Sequence, residues 1–245
     1  MLSKILESYD LVVGSRYCKG GGIENWSFYR RLISHGATLL AKLLLPSARV
    51  ISDPLSGFFM VKREVLENID FHIASYKALL VILSRGKFKK VCEVPYLFRR
   101  REKGRSKLGI KEMLSYLSLL LRLSKWRPIK FGTVGLSGVF VNEGLLYLLI
   151  KNNIPPELAV IFSIETSILS NFLLNDIWTF KERRKTSFLG RLLRYHSAVA
   201  FGGFLNFIVF LILVWIGWNI FLSNFIGILV GFIANYIFSE FKVWR

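Results

Sequence analysis

The chain has 245 residues, a mean hydropathy of +0.43 and 53% hydrophobic residues, with 34 Lys and Arg against 16 Asp and Glu for a net charge of +18. An ordinary soluble enzyme is not this apolar, and a disordered basic tail would hold far fewer Leu, Ile and Phe. A nucleic-acid binder could carry the charge, but not beside four apolar stretches of about twenty residues. The composition therefore reads as an integral membrane protein whose charged parts face anionic headgroups or phosphate, with no nucleic-acid partner.

Residues 1–126 hold 23 Lys/Arg and 10 Asp/Glu, whereas residues 127–245 hold 11 and 6, together with all four apolar stretches. A boundary is expected near Trp126–Pro128. Cys18 and Cys92 stand far apart without metal-type spacing and read as reduced structural thiols. Met1–Asp10 shows no apolar core of a cleavable signal peptide.

In chain order, Tyr9–Tyr17 (YDLVVGSRY) predicts a buried strand that opens at Gly14 into a cleft, with Arg16 at its mouth. Gly20–Gly22 form a glycine-rich loop without P-loop spacing. Apolar residues recur at helical spacing from Trp26 to Leu45, and Pro46 ends that helix. Core helix and membrane-interface helix are both open readings for it. In SDPLSGFFMVKREVL, Asp53-Pro54 and Ser56-Gly57 predict a tight polar turn, with Asp53 at a loop-to-strand junction. A strand ending at Pro95 leads into Arg99, Arg100, Arg101, Lys103, Arg105 and Lys107, a cationic loop that could clamp a polyphosphate. Between Lys107 and Trp126 the polar residues keep to one face of a Leu-rich helix, which reads as an interface helix.

Spans follow at about 131–150, 158–180, 197–218 and 220–238, each long enough for a hydrocarbon core of about 30 Å. The segment from Lys181 to His196 is strongly basic, so the positive-inside rule places it and both termini in the cytoplasm. A shift of 64 residues superposes Arg127 on Arg191, Phe131 on Tyr195, Gly138 on Gly202, Asn142 on Asn206, Asn171 on Asn235, Asp176 on Glu240 and Phe180 on Trp244. Two parallel two-span repeats are expected. The paired Asn residues read as interhelical hydrogen-bonding groups, with Gly135 and Gly138 allowing close approach. For Glu143 and Glu165, helix bonding and a polar path through the membrane both remain open.

The four-span pattern, with Asn171 and Trp178-Thr179-Phe180, resembles the GtrA-like family of membrane proteins associated with polyprenyl-phosphate-linked sugars. GSRY, Gly20–Trp26 with Arg30, SDPLSGFF, EVPY and Phe98-x-x-Arg101-x-x-Gly104-x-Ser106-Lys107 resemble the later part of a family 2 glycosyltransferase of the polyprenol-phosphate (dolichol-phosphate) mannose synthase type. The resemblance implies part of a GT-A α/β fold over residues 1–126 and an all-α, four-helix transmembrane domain over 127–245. It implies transfer of a hexose, mannose from GDP-mannose, onto a polyprenyl phosphate with inversion, assisted by a divalent metal (Mg or Mn). By the same resemblance Arg16 and Arg30 contact the lipid or reacting phosphates, and Arg101, Ser106 and Lys107 hold the leaving diphosphate. Asp53 and Ser56 lie near the sugar or acceptor.

The Asp-x-Asp metal motif and the donor-binding strands, which this family places ahead of GSRY, do not occur in the sequence. The expectation is a truncated chain, inactive alone, with a separately supplied half and an inactive remnant as competing explanations. A homo-oligomer is a further arrangement to be tested. The alternative function is a non-catalytic membrane protein that anchors or translocates polyprenyl-phosphate-linked sugars.

Overall fold

The computed structural model describes residues 1–67, 69, 77–99 and 109–244. They fall into two units, Met1–Trp126 and Arg127–Arg245. The first unit is mixed α/β, and the second is built from long apolar helices.

The centre of the first unit is strand β1 (Leu11–Ser15), buried along its whole length. A strand with both faces covered needs a continuous apolar run, and Leu11-Val12-Val13 supplies it. Between the short helix α1 (Leu2–Leu6) and helix α2 (Phe28–Leu44) come β1 and strand β2 (Gly22–Ile23). Strand β3 (Phe59–Val61), the short helix α3 (Arg63–Leu66) and helix α4 (Ala78–Arg85) follow. Strands β4 (Val91–Pro95) and β5 (Leu97–Phe98) then lead to helix α5 (Ile110–Leu123). β1 pairs antiparallel with β3 and parallel with β4, so Leu11 faces Val61 on one side and Val91 on the other. β2 and β5 form a separate parallel pair.

Five consecutive residues of α4, Leu79–Leu83, are buried and supply both apolar clusters of this unit. Val81 joins Ala41, Leu45, Tyr116 and Leu120 in one, and Leu79 joins Leu11, Val13 and Val65 in the other. α2 begins two residues later than expected because Ser27 is extended at its N-cap, which turns Trp26 out of the helix. Pro46 stops α2 and opens a 3₁₀ turn, Pro46–Val50. α5 starts at Ile110, where the Glu112 carboxylate accepts from the Gly109 N–H (3.1 Å). It ends where Lys125 and Trp126 take positive φ and the Trp126 N–H returns to the Leu121 carbonyl (2.8 Å).

Both amphipathic helices have two apolar faces. α5 buries Tyr116, Leu119, Leu120 and Leu123 but exposes Ile110, Met113, Leu114 and Leu117. α2 buries Ala41 but exposes Phe28, Tyr29, Leu32, Ile33 and Leu39. Each therefore has a core stripe and a stripe left exposed among the described residues.

The second unit contains α6 (Arg127–Lys151), α7 (Pro156–Leu174), α8 (Phe188–Trp215) and α9 (Ile220–Phe238). All four spans are long and apolar enough to cross a bilayer, which makes this a multi-pass integral membrane protein. The third begins at Phe188 rather than Ser197. The Ser187 hydroxyl accepts from the Gly190 N–H (3.3 Å) and starts the helix, so Arg191 and Arg194 occupy its first turns. The first span likewise begins at Arg127, four residues before the apolar run.

The 64-residue repeat is visible in three dimensions. α7 and α9 each run on into one π-helical turn, Asn175–Thr179 and Ser239–Val243, at equivalent positions. These turns aim Asp176 and Glu240 at the arginine that opens the opposite hairpin. Arg127 donates to both carboxylate oxygens of Glu240 (2.9 and 2.8 Å), and Arg191 to both of Asp176 (2.7 and 3.2 Å). The aromatic contacts cross in the same way: Phe131 meets Tyr236 at 5.5 Å and Phe172 meets Tyr195 at 5.7 Å. Phe180 and Trp244, equivalent to each other, stack face to face at 4.4 Å.

Within each hairpin an Asn amide fills the space of a missing side chain, Asn171 against Gly138 and Asn235 against Gly202. This differs from the expected hydrogen-bonding role. The amide oxygens of Asn142, Asn171, Asn206 and Asn235 are buried without a partner among the described residues. Gly135 has open space at its Cα and serves no close approach. Glu143 accepts from Asn142 (3.2 Å), while Glu165 meets His196 Nε2 at 2.9 Å and links α7 to α8.

Candidate functional site

The first unit gathers its polar chemistry beyond the C-terminal end of β1. Arg16 follows the strand directly, and its guanidinium is clamped by Asp53 in the loop 51–58. Asp53 Oδ2 accepts from Arg16 Nε (2.6 Å) and from its backbone N–H (3.1 Å), while Oδ1 accepts from Nη2 (2.7 Å). The side chain of Asp53 is fully buried and that of Arg16 is 9% exposed.

The loop is itself held from both sides. The Glu93 carboxylate on β4 accepts from the backbone N–H groups of Ser52 (2.8 Å) and Asp53 (3.2 Å). Ser56 Oγ donates to the Gly14 carbonyl (2.6 Å) and accepts from the Phe58 N–H (3.2 Å). Gly14 is required there, since a Cβ would stand 3.2 Å from the Phe58 carbonyl and closer still to its ring. Ser56 therefore fastens the loop, and Asp53 sets the plane of Arg16.

Rings surround the guanidinium. Its Cζ lies 5.2 Å from the centroid of Tyr17, 5.7 Å from Trp26 and 6.0 Å from Phe98. Arg30, on the first turn of α2, stacks on the same Trp26 ring at 4.3 Å. Arg16 and Arg30 thus both lie against one indole, where desolvation strengthens cation–π attraction. The indole Nε1 of Trp26 is buried with no acceptor among the described residues. Tyr17 and Ser34 share a hydroxyl–hydroxyl hydrogen bond (2.8 Å), and the Tyr17 ring lies 4.7 Å from His35.

Burial lowers the pKa of Lys77, the neighbouring Arg16 lowers it further, and Asp53 opposes both. Burial also works against the charge on Arg16, but the bonds and charge of Asp53 outweigh it and raise its pKa. The Tyr96 hydroxyl is pushed up by burial, with Arg16 opposing.

Of the residues singled out from sequence, Arg16, Arg30, Asp53 and Ser56 are brought together. Arg101, Ser106 and Lys107 lie outside the described residues. Sequence reasoning missed Trp26, Tyr17, Lys77 and Glu93. Trp26 and Glu93 both lie in the resemblance motifs, Gly20–Trp26 and EVPY, but neither was given a role, because the contact of Glu93 with the loop 51–58 depends on strand pairing. Among the described residues no group of three or more His, Cys, Asp or Glu is placed to hold a metal.

Residues 130–244 match the family described as GtrA/DPMS, transmembrane domain. A dolichol-phosphate mannosyltransferase of Pyrococcus furiosus is 45% identical over 249 residues, which cover all of this chain and 71% of that protein. Dolichol-phosphate mannosyltransferases of Mycosarcoma maydis and Saccharomyces cerevisiae are 38% and 34% identical, over 56% and 50% of this chain and under half of their own lengths. The match to the Pyrococcus protein runs through both units and so spans the stretches of this chain, GSRY and SDPLSGFF, that build the Arg16–Asp53 centre. The chain belongs to the dolichol-phosphate mannosyltransferase family of glycosyltransferases, fused to a GtrA-type transmembrane domain.

Proposed function

We propose that this chain binds the acceptor for a hexosyl transfer, the phosphate of a polyprenyl (dolichyl) lipid, between Arg16 and Arg30. The donor in this reading is a nucleotide sugar: the relatives' names point to mannose, and the family resemblance implies GDP as its nucleotide. Its diphosphate leaves from Arg101, Ser106 and Lys107, and the anomeric centre inverts. The carrying observation is the convergence of two guanidinium groups on Trp26, one of them locked in plane by a buried carboxylate.

Such an arrangement suits an anion that is already a nucleophile. A phosphate monoester is ionised near neutral pH, so the acceptor oxygen needs no strong base. What it needs is cations fixed in advance, so that two anions approach without reorganising the site. Asp53 performs that fixing. Because it spends both oxygens on Arg16, its part is to position that cation rather than to touch the sugar. The Trp26 N–H is a further donor for a phosphate oxygen. The family resemblance implies a divalent metal, but the described residues offer no acidic set that fits one.

The test is binding of radiolabelled polyprenyl phosphate to the full chain in nanodiscs. Arg30→Ala should weaken binding roughly tenfold to a hundredfold, the loss of a charge-assisted hydrogen bond. Arg30→Lys should restore part of it. Equal binding by wild type and Arg30→Ala would remove the basis of the assignment.

A further inference from the structure

The two hairpins of the second unit share their clasp but differ at one outer corner. In the first hairpin Lys130 lies 5.8 Å from the centroid of the Trp178 ring, so an aromatic face covers the cation. The residues 64 positions later are Arg194 and Lys242. There the aromatic residue has become a second cation, and Arg194 Nη1 donates to the Lys242 carbonyl (3.1 Å). One guanidinium is thus fastened to the backbone of a second cationic residue where the repeat elsewhere holds a covered cation.

Two acids of this end are engaged in the clasp. Asp176 accepts from Arg191 and Trp244, and Glu240 from Arg127, Arg183 and Tyr236. Glu182 sits in the turn Lys181–Arg183. Residues 127–130, 181–194 and 242, which make up this end, hold nine Lys and Arg, against the three carboxylates of Asp176, Glu182 and Glu240. Arg194 keeps donors beyond the one it spends on the carbonyl.

Beneath the cations lies an aromatic pair that the first hairpin also lacks. Phe201 is seven residues along α8 from Arg194, about 10 Å deeper on the same face. Phe238 is one turn below Lys242. Their rings are 6.2 Å apart, and Phe201 is 47% exposed. The first hairpin has Ser137 and Leu174 in their places.

We propose that Arg194 and Lys242, above Phe201 and Phe238, form a binding site for one anionic bilayer phospholipid, its phosphodiester on the cations and its chains on the rings. Charge complementarity selects the headgroup, and the exposure of Phe201 and Lys242 opens the site to bulk lipid. A lipid seated there covers both a surplus of charge and an aromatic step that the repeat does not require. The inference is independent of the acceptor site.

Native mass spectrometry of the full chain in neutral detergent, titrated with phosphatidylglycerol, phosphatidylcholine and decaprenyl phosphate, tests it. One phosphatidylglycerol should be retained in preference to phosphatidylcholine. Arg194→Gln with Lys242→Gln should weaken its retention about tenfold or more, at surface-charge strength. Lys130→Gln should leave it unchanged and Lys242→Arg should preserve it. If the double variant does not fold, Lys242→Gln alone, an exposed change, should still give about a fivefold loss. Equal retention of the two phospholipids, undiminished retention by the variants, or displacement of phosphatidylglycerol by equimolar decaprenyl phosphate would each overturn the proposal.

Discussion

Glu240→Gln is the sharpest perturbation of the crossed clasp. Glu240 is 1% exposed and accepts from Arg127 twice, from Arg183 Nη1 (2.7 Å) and from the Tyr236 hydroxyl (3.3 Å). The amide keeps the shape and one acceptor oxygen but leaves the 7% exposed Arg127 without a counter-charge. Breaking one side of a buried pair typically costs about 3–5 kcal/mol. Arg183, with 26% of its side chain exposed, can turn to water, which points to the lower end, about 3 kcal/mol. Reversible unfolding in mixed micelles, titrated with SDS and followed by circular dichroism, measures it. Arg127→Met with Glu240→Leu should recover most of the loss, because an apolar pair of similar volume carries no stranded charge. A Glu240→Gln loss under about 0.5 kcal/mol, or a double variant no better than the single, would refute the reasoning.

Gly202→Ala should destabilise the second hairpin by about 1–2 kcal/mol, since overpacking against Asn235 outweighs the helix-propensity gain of Ala. Gly203→Ala, with nothing within 4 Å of its Cβ, should be neutral or stabilising in the same titration. The Asp10 carboxyl is held down to about 2 by the Lys89 and Lys90 backbone N–H groups and then by Lys62. A depressed pKa stabilises the fold above the ordinary value of 3.8 and loses that contribution as pH falls towards about 2. Asp10→Asn should therefore flatten the acid limb of stability over that window in a pH-resolved melt. Cysteines introduced at Asn152 and Lys185, in a chain without Cys18 and Cys92, should label from opposite sides of the membrane, Lys185 from the cytoplasm. Labelling of both from one side would contradict the topology.

The parts of the fold written in local pattern were legible. The apolar run of β1, the stop at Pro46 and the four spans follow from composition and spacing, and the repeat emerged from one shift without gaps. The missed features depend on distant partners. Ser187 looked like loop until its hydroxyl capped α8, which moved a helix start by nine residues. The Asn pairs were visible, but their fit against Gly138 and Gly202 needed the helices side by side. In the candidate site, Arg16 and Asp53 could be named separately, yet their bidentate bond joins residues 37 apart in sequence. Glu93 enters only because β4 lies beside β1 in parallel.

The crossed clasp also says something about descent. Each hairpin carries an arginine at its start and an acid at its end, and each is neutralised by the other hairpin. A gene encoding a single hairpin would have made a protein whose charges were satisfied only by a second, identically oriented copy. The stacked Phe180 and Trp244 would then have been one aromatic residue meeting itself across a two-fold axis. Tandem duplication would join two such copies in one chain. In one chain, unlike in two identical copies, the two corners can differ, one setting Lys130 against Trp178 and the other Arg194 against Lys242.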